Sequence, residues 1–456
     1  MSNDQSRRAF LKRSAALGIA GAATPFVLNL AAIGEAAAAT TSDYKALVCV
    51  FMFGGNDYAN TLTPYDQSNY DLYAGFRPTL AYPRNALDAT ALNPSTALAG
   101  GRRYALAPAL ASLLPIFDAG RMAVVHNVGT LIQPTTKAQY QARSVPLPPK
   151  LFSHNDQQSF WQASTPEGAT SGWGGRIGDL FESGNGSATL TCINASGNAV
   201  FLSGRTAVQY AVTATGPVAL NNNSQTLFGS AMANSVLRSM IAAPHGNLLE
   251  NEHARVARRS LDTYAQVTSA LGGAPALIDV FPTGNPLADQ LRVVARLISV
   301  SSELGARRQI FFVSTGGFDN HDALVATHPG LLTRVGTAMR AFYDATVALG
   351  VADRVTSFTA SDFGRTLVAN GNGSDHGWGS SHFVVGGAVN GRRFYGAPPV
   401  LANNGPDDVG QGRLLPSLSV DQYAATLASW FGVSDGNMAT VLPNIGNYSS
   451  RNVGFV

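Results

Sequence analysis

Residues 44–53 (YKALVCVFMF) form a continuous apolar run, rich in aromatic and β-branched side chains. A run of that length without alternation is the pattern of a strand buried on both faces. Residues 121–128 (RMAVVHNV), 308–315 (RQIFFVST), 354–360 (RVTSFTA) and 382–387 (HFVVGG) also read as strands, 308–315 and 354–360 as buried ones, and 188–213 holds shorter strand-like pieces. Between them apolar residues fall at helical spacing over 104–118, 288–305, 331–349 and 420–431, and with breaks over 232–271. A Pro-rich stretch at 145–150 leads to Ser153, which stands before a helix predicted over 154–163. Buried strands alternating with helices predict an α/β fold with a mostly parallel central sheet. Gly-, Asn- and Ser-rich stretches at 183–187 and 221–224 read as surface loops bracketing an insertion around 185–290. The chain shows no internal repeat of fixed period.

Residues 1–39 carry a different pattern. Ser6-Arg7-Arg8-Ala9-Phe10-Leu11-Lys12 opens a mildly apolar run from Ala15 to Ile33, which ends in Ala36-Ala37-Ala38-Ala39 before Thr40-Thr41-Ser42. A basic start, an apolar middle and a small-residue cleavage site predict a signal peptide cut near Ala39. The opening matches the twin-arginine consensus S-R-R-x-F-L-K at every fixed position. The expected partner is therefore the twin-arginine export machinery, and the expected location is the periplasm or the exterior. Gly18, Gly21 and Pro25 interrupt the apolar run, and no later stretch reaches the ~18 consecutive apolar residues of a membrane helix. The expected layout is a signal peptide over 1–39 and a single domain over 40–456.

Composition narrows the function classes. The 456 residues carry 31 Lys+Arg against 28 Asp+Glu, a net charge of +3, and an apolar share of 45%. Removal of 1–39 takes away four basic and two acidic residues and leaves +1. That balance excludes a nucleic-acid binder, and the apolar share excludes a disordered chain. The two cysteines, Cys49 and Cys192, both lie in strand-like apolar runs. Export of a folded protein from a reducing cytosol favours two buried thiols over a disulfide. The absence of CxxC, of CxxCH and of GxGxxG after a strand leaves a redox role without support.

Three predicted strands run into glycine-containing loops that carry an aspartate. These are Gly54-Gly55-Asn56-Asp57, Gly316-Gly317-Phe318-Asp319-Asn320-His321-Asp322 and Ser361-Asp362-Phe363-Gly364-Arg365-Thr366. In an open α/β sheet, ligands sit outside the carboxyl ends of the strands, so Asp57, Asp319 and Asp362 are expected to converge. A fourth segment, Ser374-Asp375-His376-Gly377-Trp378-Gly379-Ser380-Ser381-His382, precedes the last strand and adds two imidazoles and a carboxylate. Converging carboxylates and imidazoles suit a divalent metal, zinc or a harder ion such as manganese or magnesium. His126, His154, His245, His253 and His328 fall outside these segments, and the last three read as ordinary surface groups.

The segments GGNDYANTL (54–62), GGFDNHD (316–322), SDFGRT (361–366) and SDHGWGSSHFVVGG (374–387) resemble, in order, the signature blocks of domain-of-unknown-function family 1501. That exported bacterial family is grouped with the alkaline phosphatase-like superfamily. The resemblance implies a three-layer α/β/α fold with a metal site at the carboxyl edge of the sheet. It implies Asp57 as a ligand of one metal and Asp319 and His321 as ligands of another. Asp362 and His376 are further implied ligands, and Ser153 is the implied nucleophile at a helix start. The chain departs from the pattern where Phe363 stands in place of a histidine after Asp362, which removes one ligand. Asp319 and His321 are also closer in sequence than the family spacing, and His382 or Asp375 is placed to compensate.

A metal in such a site would neutralise charge on a phosphoryl or sulfuryl group. The helix start at Ser153 offers N–H donors to an anion, or Ser153 is a plain N-cap. Arg365 is either an anion clamp or a structural ion-pair partner. The expected function is an exported metal-dependent hydrolase of a small phosphate or sulfate ester. The alternative is a non-catalytic periplasmic or cell-surface protein that keeps the fold around a degenerate metal site.

Overall fold

The computed structural model describes residues 44–219 and 226–456. The predicted signal peptide at 1–39 and the predicted loop at 221–224 lie outside the described residues. The main sheet contains β1 (Lys45–Met52), β2 (Met122–Gly129), β3 (Cys192–Asn194), β4 (Tyr210–Thr213), β5 (Arg308–Thr315), β6 (Val355–Ser361), β7 (Ser380–Gly386) and β8 (Arg393–Tyr395). Their order across the sheet is β8-β2-β7-β6-β1-β5-β3-β4. Two-residue strands at Gly216–Pro217 and Leu418–Ser419 add to β4 and β2.

The fold is mixed α/β with a large, mostly parallel sheet. β1 lies parallel to β5 and β6, with Val48 opposite Phe311 and Ser357. Only β7 among these eight runs against its neighbours, β6 and β2. β1 is buried from Ala46 onward and β2 and β6 along their whole lengths, so β1 reads as an apolar run rather than an alternating one, while β6 takes Thr356, Ser357, Thr359 and Ser361 into the interior. Each fully buried Phe, Val or Leu in such a strand contributes ~1.5–3 kcal/mol of burial.

Helices Pro286–Ser299 and Leu324–Ala348 pack on each other, the first with Leu287, Leu291, Val294 and Ile298 on its buried side. The helix predicted at 331–349 starts seven residues earlier, at Leu324, and takes Pro329 into its second turn. The helices expected at 154–163 and 420–431 form over those residues.

Two expectations are corrected. Residues 104–118 are not one helix: Tyr104–Leu106 is a strand paired with Leu62–Pro64, followed by a 3-10 segment and a short helix at Leu114–Asp118. Pro108 and Pro115 supply the breaks, because proline cannot donate an intrahelical hydrogen bond. Residues 232–271 form two helices, Ala231–Ile241 and Leu248–Gly273, parted by the turn containing Pro244 and Gly246. Residues 192–194 and 210–213, inside the stretch read as an insertion, join the main sheet.

Cys49 and Cys192 are buried free thiols. Cys49 sits on β1 and Cys192 on β3, with β5 between them. Two strand spacings, roughly 10 Å, separate them, beyond the ~7 Å limit of a disulfide. Among the described residues no helix is long and apolar enough to cross a membrane.

Candidate metal centre

The parallel strands β1, β5 and β6 all end at one edge of the sheet, and the loops after them carry Asp57, Asp319 and Asp362. β7 is antiparallel, so its lead-in, residues 374–379, arrives at that same edge. A small hairpin, Arg365–Ala369 with Ser374–His376, places Arg365 directly opposite His376. Close passage of the loops depends on glycine. Gly54 has φ +114, and a Cβ there would lie 2.5 Å from the Asp319 amide nitrogen. Gly55 has φ +80, and its Cβ would meet the Phe363 ring at 2.4 Å. Any side chain at either position would push the loops apart.

Three imidazoles meet around Asp319, and each is held by its Nδ1. His376 Nδ1 lies 2.7 Å from the Phe152 carbonyl oxygen. His154 Nδ1 lies 2.7 Å from Asp362 Oδ2, and His321 Nδ1 lies 2.9 Å from Asp375 Oδ1. A carbonyl and two carboxylates only accept, so each Nδ1 carries a proton and each ring turns its Nε2 inward. Those nitrogens converge on one carboxylate. Asp319 Oδ1 is 3.1 Å from His321 Nε2 and 3.3 Å from His376 Nε2, while Oδ2 is 3.4 Å from His154 Nε2.

The donor atoms of His154, Asp319 and His376 all lie within 4.8 Å of one another. His154 Nε2 is buried and has no hydrogen-bond partner among the described residues. His321 Nε2 and His376 Nε2 stand 2.9 Å apart. Two lone pairs at that distance repel unless a proton or a cation lies between them. A ring whose far nitrogen is fixed by a carboxylate or a carbonyl is the usual arrangement of a metal-ligating histidine. The donor set of imidazoles and one carboxylate fits a zinc-like ion.

The electrostatics agree with that geometry. Burial disfavours the charged form of Asp319, but the hydrogen bond and charge of Arg365, with His154 and His321, outweigh it and hold the carboxyl below its ordinary value. Arg365 Nη1 donates to Asp319 Oδ1 at 2.7 Å. Burial pushes His376 below the ordinary imidazole value, against the hydrogen bond to Phe152, so the ring is neutral near pH 7. The hydrogen bond to Asp362 raises His154, with burial opposing. Burial also opposes ionisation of Asp375, yet the hydrogen bonds from His321 and Asn370 bring it below its ordinary value.

The expected site residues divide into groups. Asp319, His321 and His376 come together. Asp362 stands behind them: its Oδ2 accepts from Gly54 N, Gln158 Nε2 and His154 Nδ1. Arg365 is buried, bound to Asp319, to the Gly54 carbonyl and to the Ser374 carbonyl, so the structure displays its ion-pair role. Asp57 is not brought to the imidazoles. Its Oδ2 is taken by Arg77 Nη2 at 2.5 Å and Ser374 Oγ at 2.6 Å, and its Oδ1 by Asn60 N at 2.9 Å. Ser153 occupies the N-cap position of its helix, but its hydroxyl donates to Asp156 Oδ2 at 3.0 Å instead of capping a backbone N–H. His382 is buried on β7, beside Thr359 and Trp161.

His154 is the residue that sequence reasoning set aside. The available signal was its place as the first residue of a helix that follows a Pro-rich lead-in, where a side chain projects from the helix end. Phe152, two residues before it, has φ +72, a left-handed conformation that turns its carbonyl to His376. Phe363, which stands where the family pattern has an imidazole, packs against His154 and His376 with ring centroids at 4.9 and 4.8 Å.

The family described as "Protein of unknown function (DUF1501)" matches residues 44–441. No curated protein matches the chain. Among solved structures, one described as Ps i-CgsB in complex with k-i-k-neocarrahexaose is similar at 9% identity and TM-score 0.35, covering 89% of this chain and 77% of that one. Another, from work on glycosaminoglycan metabolism by Bacteroides thetaiotaomicron, is similar at 11% identity and TM-score 0.36, covering 86% and 74%. At these TM-scores neither likeness bears on the chemistry of the centre.

Proposed function

The chain belongs to the DUF1501 family, and from its metal centre we propose that it is a metal-dependent hydrolase of a small phosphate or sulfate ester. The proposal includes a three-layer α/β/α fold of the alkaline phosphatase-like kind. It also includes twin-arginine export to the periplasm or the exterior. One observation carries the metal assignment: three imidazoles, each fixed through Nδ1, present Nε2 to the Asp319 carboxylate. His154, Asp319 and His376 would hold the cation, with His321 beside them. Zinc suits imidazole and carboxylate donors best, and manganese or magnesium is the alternative. When bound, such an ion supplies Lewis acidity toward an ester oxygen.

The chain's own residues prepare the site. Asp362, Asp375 and the Phe152 carbonyl lock the three rings in one tautomer. Arg365 keeps Asp319 ionised and aimed. Ser153, directly before His154, donates a hydrogen bond to the Asp156 carboxylate, which would act as its base if the serine attacks. Phe363 forms an apolar wall beside two of the rings.

A second reading, a metal-holding protein without turnover, is favoured by the sealed Asp57–Arg77 pair and by Phe363. The test is elemental analysis of the protein isolated without chelator, together with turnover of aryl phosphates and aryl sulfates. The hydrolase reading expects about one ion per chain and turnover that Ser153→Ala abolishes. A metal-bearing protein inert toward both ester classes selects the second reading, and a metal-free protein refutes both.

A further inference from the structure

The helix Ala231–Ile241 is turned inside out. Its one buried residue is the polar Asn234. Its large apolar residues face solvent: Met232 is 78% exposed, Val236 53% and Met240 65%. These three recur at i, i+4 and i+8, so they form one stripe along the helix. Phe228, 98% exposed, precedes the stripe, and Leu237 and Ile241 flank it. Eight of the sixteen exposed large apolar side chains among the described residues lie between Phe228 and Leu249. A surface helix normally buries its apolar stripe, and an outward one marks a face that another molecule covers.

We propose that a second copy of this chain covers this face, through an antiparallel pairing of the two 231–241 helices about a two-fold axis at Val236. The stripe is symmetric about that residue, with Met232 and Met240 each four positions away, so the axis sets Met232 of one copy against Met240 of the other. An isologous contact demands this kind of self-complementarity. Charge agrees: from Thr226 to Leu249 the only formally charged residue is Arg238, so two copies meet without a repulsive cluster. The same sparseness argues against an anionic membrane surface, which binds faces lined with several Lys or Arg. Area agrees as well. The six exposed side chains from Phe228 to Ile241 offer roughly 700 Å² of apolar surface per copy, close to the ~800 Å² per partner of a standard stable interface.

The test uses the full chain throughout, so any contribution from other segments is common to all samples. Sedimentation equilibrium of the wild type is expected to give a dimer at micromolar concentration. Met232→Glu/Val236→Glu/Met240→Glu is expected to weaken association at least 100-fold with an unchanged circular dichroism spectrum. Val236→Cys supplies a second readout. Both native cysteines are buried, so mild oxidation is expected to give a disulfide-linked dimer with Val236→Cys and none with Val347→Cys, an exposed control on another helix. A monomeric wild type, association undiminished in the triple variant, or a Val236→Cys chain that fails to cross-link would each overturn the proposal. So would flotation with neutral phosphatidylcholine vesicles that the triple variant abolishes, because a lipid surface would then be the occupant.

Discussion

Replacing Arg77 with methionine tests whether Asp57 serves the fold or the metal. Arg77 and Asp57 are both buried, with side-chain exposures of 0% and 1%, and their closest N···O distance is 2.5 Å. Two unit charges at about 4 Å attract by roughly 4 kcal/mol at an effective dielectric of 20. Removing one partner of a buried pair leaves the other charge uncompensated, at a cost of ~3–5 kcal/mol. Ser374 Oγ and Asn60 N still donate to Asp57, so the expected loss for Arg77→Met is near the lower end, ~3 kcal/mol. Asp57→Asn should cost a similar amount, and the double variant should cost clearly less than the two losses added.

The pH dependence has a defined sign. Burial raises the Asp57 carboxyl, but Arg77, with His328 and Ser374, more than offsets it, so the folded-state value lies below the ordinary one. A depressed carboxyl contributes stability that is complete above the unfolded value, ~3.9, and lost as pH falls through the folded value. The destabilisation by Arg77→Met should therefore be large at pH 7 and shrink below about pH 4. Urea denaturation at both pH values, read at constant m, measures it. Elemental analysis of the same samples should show unchanged metal content. An Asp57→Asn chain that keeps its stability but loses metal would refute the reasoning and return Asp57 to the ligand set.

Other outcomes are expected. His376→Ala should lower the metal content of the purified protein, and equal metal in both proteins would remove His376 from the ligands. Asp362→Asn keeps the volume behind His154 but weakens its anchor, so metal affinity, read by competition with a chelator, should fall ~10–100-fold with the fold intact. Burial raises the Asp421 carboxyl to about 6, so its ionised form costs stability above that pH and the cost is relieved as pH falls toward the unfolded value. Asp421→Asn should thus stabilise the protein by ~2 kcal/mol at pH 8 and by little at pH 4.5, as measured by urea midpoints. Replacing Arg7 and Arg8 with lysine should trap the precursor in the cytoplasm, and normal export in a fractionation assay would count against twin-arginine routing.

The strands were legible from local pattern because strands buried on both faces carry apolar runs rather than an alternation, as in Ala46–Met52 of β1, Met122–Val125 of β2 and Ile310–Val313 of β5, and because β6 is rich in β-branched and small side chains. The loops after β1, β5 and β6 were legible for the same reason: each predicted strand end located an aspartate, and Asp319, His321 and His376 do come together. What the chain's one-dimensional order does not carry is which neighbour each polar group meets. Asp57 and Asp319 look alike in sequence, each in a Gly-Gly-x-Asp block. Arg77, twenty residues after Asp57, reaches its carboxylate through the packing of helix Gln67–Phe76. Asp319 receives Arg365, His154 and His376 from other segments and His321 from its own loop. His154 was invisible for the same reason. Its partner Asp362 is 208 residues away, and only the docking of the helix start against the strand ends brings them to 2.7 Å. Local sequence determined where strands, turns and titratable groups stand along the chain, since those depend on near-neighbour sterics and burial. Tertiary packing decided which carboxylates are neutralised by arginine and which meet imidazoles, because charges buried in a low-dielectric interior are governed by whatever lies within a few ångströms.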